Sequence, residues 1–103
     1  MKIEVKEQNI KGTLEINDKK YSYIAYPLGL EFTIKLLKAQ KLNDQLLFLE
    51  VISEYFDKNI EFEKVFLTNP KEEVKQLLDR SGELANFVTT IWDELGKQKE
   101  AKD

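Results

Sequence analysis

The sequence predicts an α+β fold: a small N-terminal antiparallel β-meander of about three strands, followed by about three α-helices. Three observations carry this. Apolar and polar residues alternate through the first 26 positions, Pro27 and Gly29 interrupt that alternation, and from Leu30 onward the apolar residues recur every three or four positions.

In the first region Ile3 and Val5 alternate with Lys2, Glu4 and Lys6, and Leu14 and Ile16 alternate with Thr13 and Glu15. Tyr21, Tyr23 and Ala25 alternate with Ser22, Ile24 and Tyr26. Each run has the period of a strand. Gln8 and Asn9 are expected to turn the first strand into the second. Asn17-Asp18-Lys19-Lys20 reads as a hairpin loop, because Asn and Asp tolerate left-handed backbone and close local hydrogen bonds. The third run is apolar on both faces, so it is either covered on both sides or keeps one face for a partner.

Pro27 lacks an N–H for the ladder and ends the sheet. Leu30, Ile34 and Leu37, with Phe32 and Leu36 beside them, predict a first helix of about twelve residues. A second is expected to start at Asn43, capped by that side chain, with Asp44 in the first turn. Its apolar set (Leu46, Leu47, Leu49, Val51, Ile52, Tyr55, Phe56) covers more than one stripe, which predicts the most buried helix. Residues 60–67 read either as a short helical turn or as an extended link that inserts Phe62 and Phe66 into the core. Asn69-Pro70-Lys71-Glu72 is a strong helix start, with an Asn cap and a proline at the first helical position. From there Val74, Leu77, Leu78, Ser81, Leu84, Ala85, Val88, Ile91, Trp92 and Leu95 keep helical spacing across Gly82. The expectation is one long helix bent at Ser81-Gly82 and capped by Gly96. Residues 1–96 thus form one α+β domain, and 97–103 a flexible charged tail.

At 103 residues the chain hides roughly two-thirds of its unfolded surface in a single core. Hydrophobic residues make up 42% and charged residues 34%, an ordinary globular balance. Cysteine and histidine are both absent, which removes disulfides, thiolate nucleophiles, the commonest general base and the commonest transition-metal ligands. No cofactor and no catalytic residue is expected. The N-terminus leads into no apolar h-region and no apolar run approaches the length of a membrane span, so a cytoplasmic protein without a membrane partner is expected. Residues 1–41 hold eight lysines against five acidic residues, while 42–103 hold eight bases against fourteen acids. With one arginine, Arg80, among sixteen basic residues, the balance argues against nucleic acid as a partner.

Three clusters invite a chemical reading. Glu50, Glu54 and Asp57 fall on one helical face, but hard cations need more oxygen ligands than such a row supplies, and a solvated acidic face explains it better. Glu61 and Glu63 form a carboxylate pair, yet sequence neighbours in a connecting segment are poor candidates for acid–base work. Tyr21, Tyr23, Tyr26 and Trp92 are better suited to core and interface packing than to stacking nucleic-acid bases. Protein partners are favoured by the lysine-bearing first strand, an edge that could accept another chain's strand, and by the opposed charge of the two halves, which would steer copies head to tail.

Leu14-Glu15-Ile16-Asn17-Asp18-Lys19-Lys20-Tyr21, then Pro27-Leu28-Gly29-Leu30-Glu31-Phe32 leading into helices, then a C-terminal helix with a charged tail from Gly96, set an order of elements that spans nearly the whole chain. In that order, in its size and in its excess of lysine over arginine, the chain resembles the tail assembly chaperones of long-tailed phages that infect low-GC Gram-positive bacteria. The resemblance implies a non-enzymatic protein that oligomerises in the host cytoplasm and coats the long helical tape measure protein. It would be displaced as tail tube protein polymerises, and a longer frameshifted product would extend its C-terminal tail. The family has no residue signature to carry over, so the resemblance assigns no protein-binding residues. A small phage- or plasmid-encoded inhibitor of a host enzyme or defence system is the alternative.

Overall fold

The computed structural model describes residues 1–4 and 8–100, the last three of these by their backbone alone. The α+β class is as the sequence predicts, with a three-stranded antiparallel sheet packed against helices.

β1 (Ile10–Ile16) pairs with β2 (Lys19–Ala25), Ile10 opposite Ala25 and Ile16 opposite Lys19. Only Asn17 and Asp18 span the turn, with φ of 51° and 65°. Two consecutive left-handed residues are what a tight I′ hairpin requires, and Asn and Asp adopt them at least cost. The third strand is β3 (Ile60–Phe62), antiparallel to β2 with Tyr23 opposite Phe62 and Ala25 opposite Ile60. The extended reading of residues 60–67 therefore holds for their first three. The expected strand at Ile3 and Val5 does not supply the third member. Residues 1–4 carry no strand and Ile3 is exposed, while Val5 and Lys6 lie outside the described residues.

The pleat puts Ile10, Gly12, Leu14, Tyr21, Tyr23, Ala25, Ile60 and Phe62 on the core face. Lys11, Thr13, Glu15, Lys20, Ser22, Ile24 and Glu61 take the other. That outer face is polar except for half-buried Ile24 and, just past the strand, half-buried Tyr26, so the doubly apolar look of the Tyr21–Tyr26 run comes down to two side chains. Gly12 is required where it stands: a Cβ there would lie 2.5 Å from the Tyr23 hydroxyl oxygen, because the Tyr23 ring crosses the strand at that point.

Four helices follow the hairpin: α1 (Leu30–Leu42), α2 (Gln45–Asn59), α3 (Lys71–Ser81) and α4 (Leu84–Glu100). Asn43 does not cap α2. It closes α1 in a left-handed conformation (φ 52°, ψ 40°), and Asp44 caps α2 by accepting the Leu47 N–H at 3.1 Å. At the start of α3 the Asn69 side chain accepts the Lys71 N–H at 3.0 Å, but the helix begins at Lys71 with Pro70 at its N-cap, so Asn69 and Pro70 each stand one position earlier than the sequence predicts. The expected single helix from Asn69 to Leu95 is two. Gly82 takes φ +75°, the Gly82 N–H reaches the Asp79 carbonyl and the Glu83 N–H the Leu78 carbonyl, which is a Schellman stop rather than a bend. Gly96 is no cap, since α4 runs through it to Glu100, and residues 101–103 of the expected tail lie outside the described residues.

Two aromatic groups fill the core. Tyr23, Phe56, Phe62 and Phe87 meet at centroid distances of 5.3–6.3 Å and join β2, α2, β3 and α4. Phe32, Tyr55 and Trp92 stack edge to face at 5.9 and 5.5 Å and join α1, α2 and α4. The Tyr55 hydroxyl donates to the Tyr26 carbonyl, and the Asn59 amide donates to the Pro27 carbonyl at 2.9 Å. Both bonds pin the link between β2 and α1 against the end of α2. Burial pushes the Tyr55 phenol well above its ordinary range, so the hydroxyl stays a donor.

Candidate functional site

The candidate carboxylates are spread over separate places on the surface and form no single cluster among the described residues. Glu54 lies between two lysines, accepting from Lys58 at 2.9 Å and from Lys35 at 3.0 Å. Asp57 turns instead to α3, where Lys75 reaches it at 2.8 Å and the Lys71 ammonium donates to its backbone carbonyl. Glu50 remains exposed. The row predicted on one helical face is thus divided between two ion-pair systems, and no group of three or more acidic side chains among the described residues could hold a metal ion. Glu61 accepts from the Tyr26 hydroxyl at 3.3 Å on the outer face of the sheet, where it and Glu63 border a shallow depression with Lys11, Thr13 and Ser22.

The lysine hydrogen bonds, that from Lys58 first, hold the Glu54 carboxyl below the ordinary value of 4.5. A carboxyl with a lowered folded-state pKa contributes stability above its unfolded value and loses it as pH falls through the folded one. Glu54→Gln is therefore expected to be less stable than the parent at neutral pH. The gap should close as the solution is acidified below 4.5. Denaturant midpoints measured across that range check this, and a gap that persists at acid pH would show that the carboxylate charge is not its source.

The four aromatics form no platform. Tyr21 is buried, Tyr23 is wedged between Phe62 and Phe87, Trp92 packs on Tyr55, and half-buried Tyr26 stands apart from them at Glu61. The indole N–H of Trp92 is buried with no acceptor among the described residues, so packing alone holds that ring. Burial, then the nearby Glu94, raises the Tyr23 phenol.

What the surface does display is apolar. On α1 the buried positions are Phe32 and Ala39, while Leu30 (77% exposed), Ile34 (46%) and Leu37 (58%) run along the opposite side. The three residues that announce the helix in the sequence are thus the ones it turns outward. Leu42, Leu46 and Leu49 are exposed around the turn into α2. The buried part of α2 is its second half, from Val51 to Phe56.

A second apolar feature lies after β3. Val65 and Thr68 exchange both backbone hydrogen bonds, at 2.9 and 3.0 Å, leaving Phe66 and Leu67 as the two residues of the turn. Their φ angles are 51° and 68°, and they are 97% and 94% exposed. Phe62 enters the core as expected, whereas Phe66 does the reverse. No local pattern distinguishes it from Phe62, and only the backbone geometry reveals it. Left-handed backbone is costly for residues with bulky side chains, and this pair gains no compensating burial.

No helix among the described residues is long and apolar enough to cross a membrane. Compared with protein-family models, with curated proteins and with solved structures, the chain matches none.

Proposed function

We propose that this chain acts by binding another protein rather than by catalysis, as a phage tail assembly chaperone that keeps the tape measure protein soluble in the host cytoplasm until tail tube protein polymerises around it. The observation that carries the reading is the Phe66-Leu67 turn. Two large apolar side chains are held almost fully in solvent, on a two-residue turn closed by both Val65–Thr68 backbone hydrogen bonds, whose backbone disfavours both of them. A self-sufficient fold gains nothing from that arrangement, but a contact surface does. Each copy would offer a small apolar knob of low individual affinity. A row of copies along a helical client would bind firmly through multivalency and yet be displaced one at a time. The exposed Leu46 and Leu49 of α2 add apolar surface to the same molecule.

The test is co-expression with an apolar helical fragment of a tape measure protein, followed by measurement of the fragment left in solution. Replacing Phe66 and Leu67 together by Asp should reduce the soluble fragment by roughly tenfold, the scale of losing a small apolar anchor. A fragment kept equally soluble by that variant would sink the reading, provided circular dichroism shows the variant folded.

A further inference from the structure

We infer that the outward ridge of α1 is a pairing surface for a second copy of this chain, which docks antiparallel across a two-fold axis near Ile34 and Lys35. The pairing rests on the reading that the protein works through apolar contacts, but it concerns a different surface from the Phe66-Leu67 turn.

Leu30, Ile34, Leu37 and Lys41 follow one another at intervals of four, three and four, which is the a/d seam of a coiled coil with leucine at the d positions and isoleucine at a. In that heptad Phe32 and Ala39 both fall at f, the position farthest from the seam, and they are the two residues of α1 buried against its own core. The helix therefore has two apolar sides, one already used and one free to receive a partner of the same geometry. Isolated helices of thirteen residues are marginal in water, but this one is held in shape by its inner face and needs no partner in order to form.

The flanking charges select the partner. The seam is bordered on its e side by Glu31 and Lys38, of opposite sign and nearly equidistant from Ile34. In an antiparallel pair e faces e, so the two-fold axis sets Glu31 of each copy beside Lys38 of the other. A parallel pair would place Lys38 beside Thr33 and lose both contacts. The surface is thus complementary to itself, which is the requirement of an isologous dimer. Lys35 bonds Glu54 at 3.0 Å and a single oxygen of Glu31 at 3.2 Å, and the Glu31 side chain remains 66% exposed, so its other oxygen is open to the Lys38 of a second copy. Lys41 at the last a position admits its aliphatic stem to the seam while its charge marks the register.

Sedimentation equilibrium of the purified full chain tests the pairing. The expected result is a reversible monomer–dimer equilibrium, abolished by Ile34→Lys. Glu31→Lys should weaken the dimer by roughly tenfold, because it sets like charges opposite each other, and Glu31→Lys with Lys38→Glu should restore it. These side chains are exposed, so the folds should survive, and circular dichroism checks that they do. A strict monomer, an open-ended assembly, a dimer indifferent to Ile34→Lys or a double charge swap without rescue would each overturn the pairing. A dimer that leaves the tape measure fragment insoluble defeats the chaperone reading alone. A monomer that keeps the fragment soluble defeats the pairing alone.

Discussion

Replacing Phe66 with Asn and Leu67 with Gly is expected to make the protein more stable and less able to hold a client. Both positions lie in the left-handed region, at φ of 51° and 68°, where a β-carbon bearing a large side chain costs about 1–2 kcal/mol per residue. Asn tolerates that conformation and Gly is indifferent to it. The extra freedom that Gly brings to the unfolded chain offsets part of the gain, leaving about 1–2 kcal/mol of net stabilisation. For a domain of this size that corresponds to a rise in Tm of roughly 5–10 °C, readily measured by thermal unfolding. The side chains removed touch solvent almost everywhere, so little packing is lost with them. A variant that is less stable than the parent would mean that the two side chains serve the fold, and the case for a contact surface at this turn would fail with it. Stabilisation accompanied by lost client binding is the pattern of a site kept for function at the expense of stability.

Phe56→Ala should have the largest effect of any single substitution considered, a loss of about 3–5 kcal/mol. Phe56 is fully buried, and its ring meets Phe62 at 5.8 Å and Phe87 at 6.3 Å, so the cavity left behind would border α2, β3 and α4 at once. Domains of this kind hold about 5–15 kcal/mol in total, so the variant would lie close to unfolding at ambient temperature. Urea titration should show a much lower midpoint with an unchanged slope. Phe66→Ala, the same chemical change ten positions later, should be neutral or slightly stabilising. If the two variants lost equal stability, the division of the aromatics between core and surface would be incorrect.

The parts of the fold that the sequence made legible are those where local chemistry and tertiary packing agree. The hairpin at Asn17-Asp18, the end of the sheet at Pro27 and the start of α3 at Asn69-Pro70 each rest on residues with few other conformational uses. The misreadings share another cause. Helical spacing from Val74 to Leu95 continues across Gly82 because α3 and α4 cover the same core, so the period survives a break in the helix. Asn43 and Asp44 are both good caps in either direction, and only the left-handed backbone at Asn43 assigns one to each helix. On α1, Leu30, Ile34 and Leu37 reveal that there is a helix but not which way it faces, because Phe32 and Ala39 form a competing apolar side. The outward-facing apolar residues were hidden for the same reason. An apolar residue that serves the core and one that serves a partner are the same letter.

The placement of β3 has a bearing on how the chain acquires its structure. β2 is flanked on one side by a neighbour two residues away in sequence and on the other by a segment that arrives only after α1 and α2, with Tyr23 and Phe62 separated by thirty-eight intervening residues. A two-stranded ribbon alone is marginal in water, so the sheet becomes durable only once the two helices have folded back and delivered Ile60 to Phe62 to its open side. Chain closure over that span should limit the refolding rate. During synthesis, the first 59 residues would then emerge without a finished sheet to protect them.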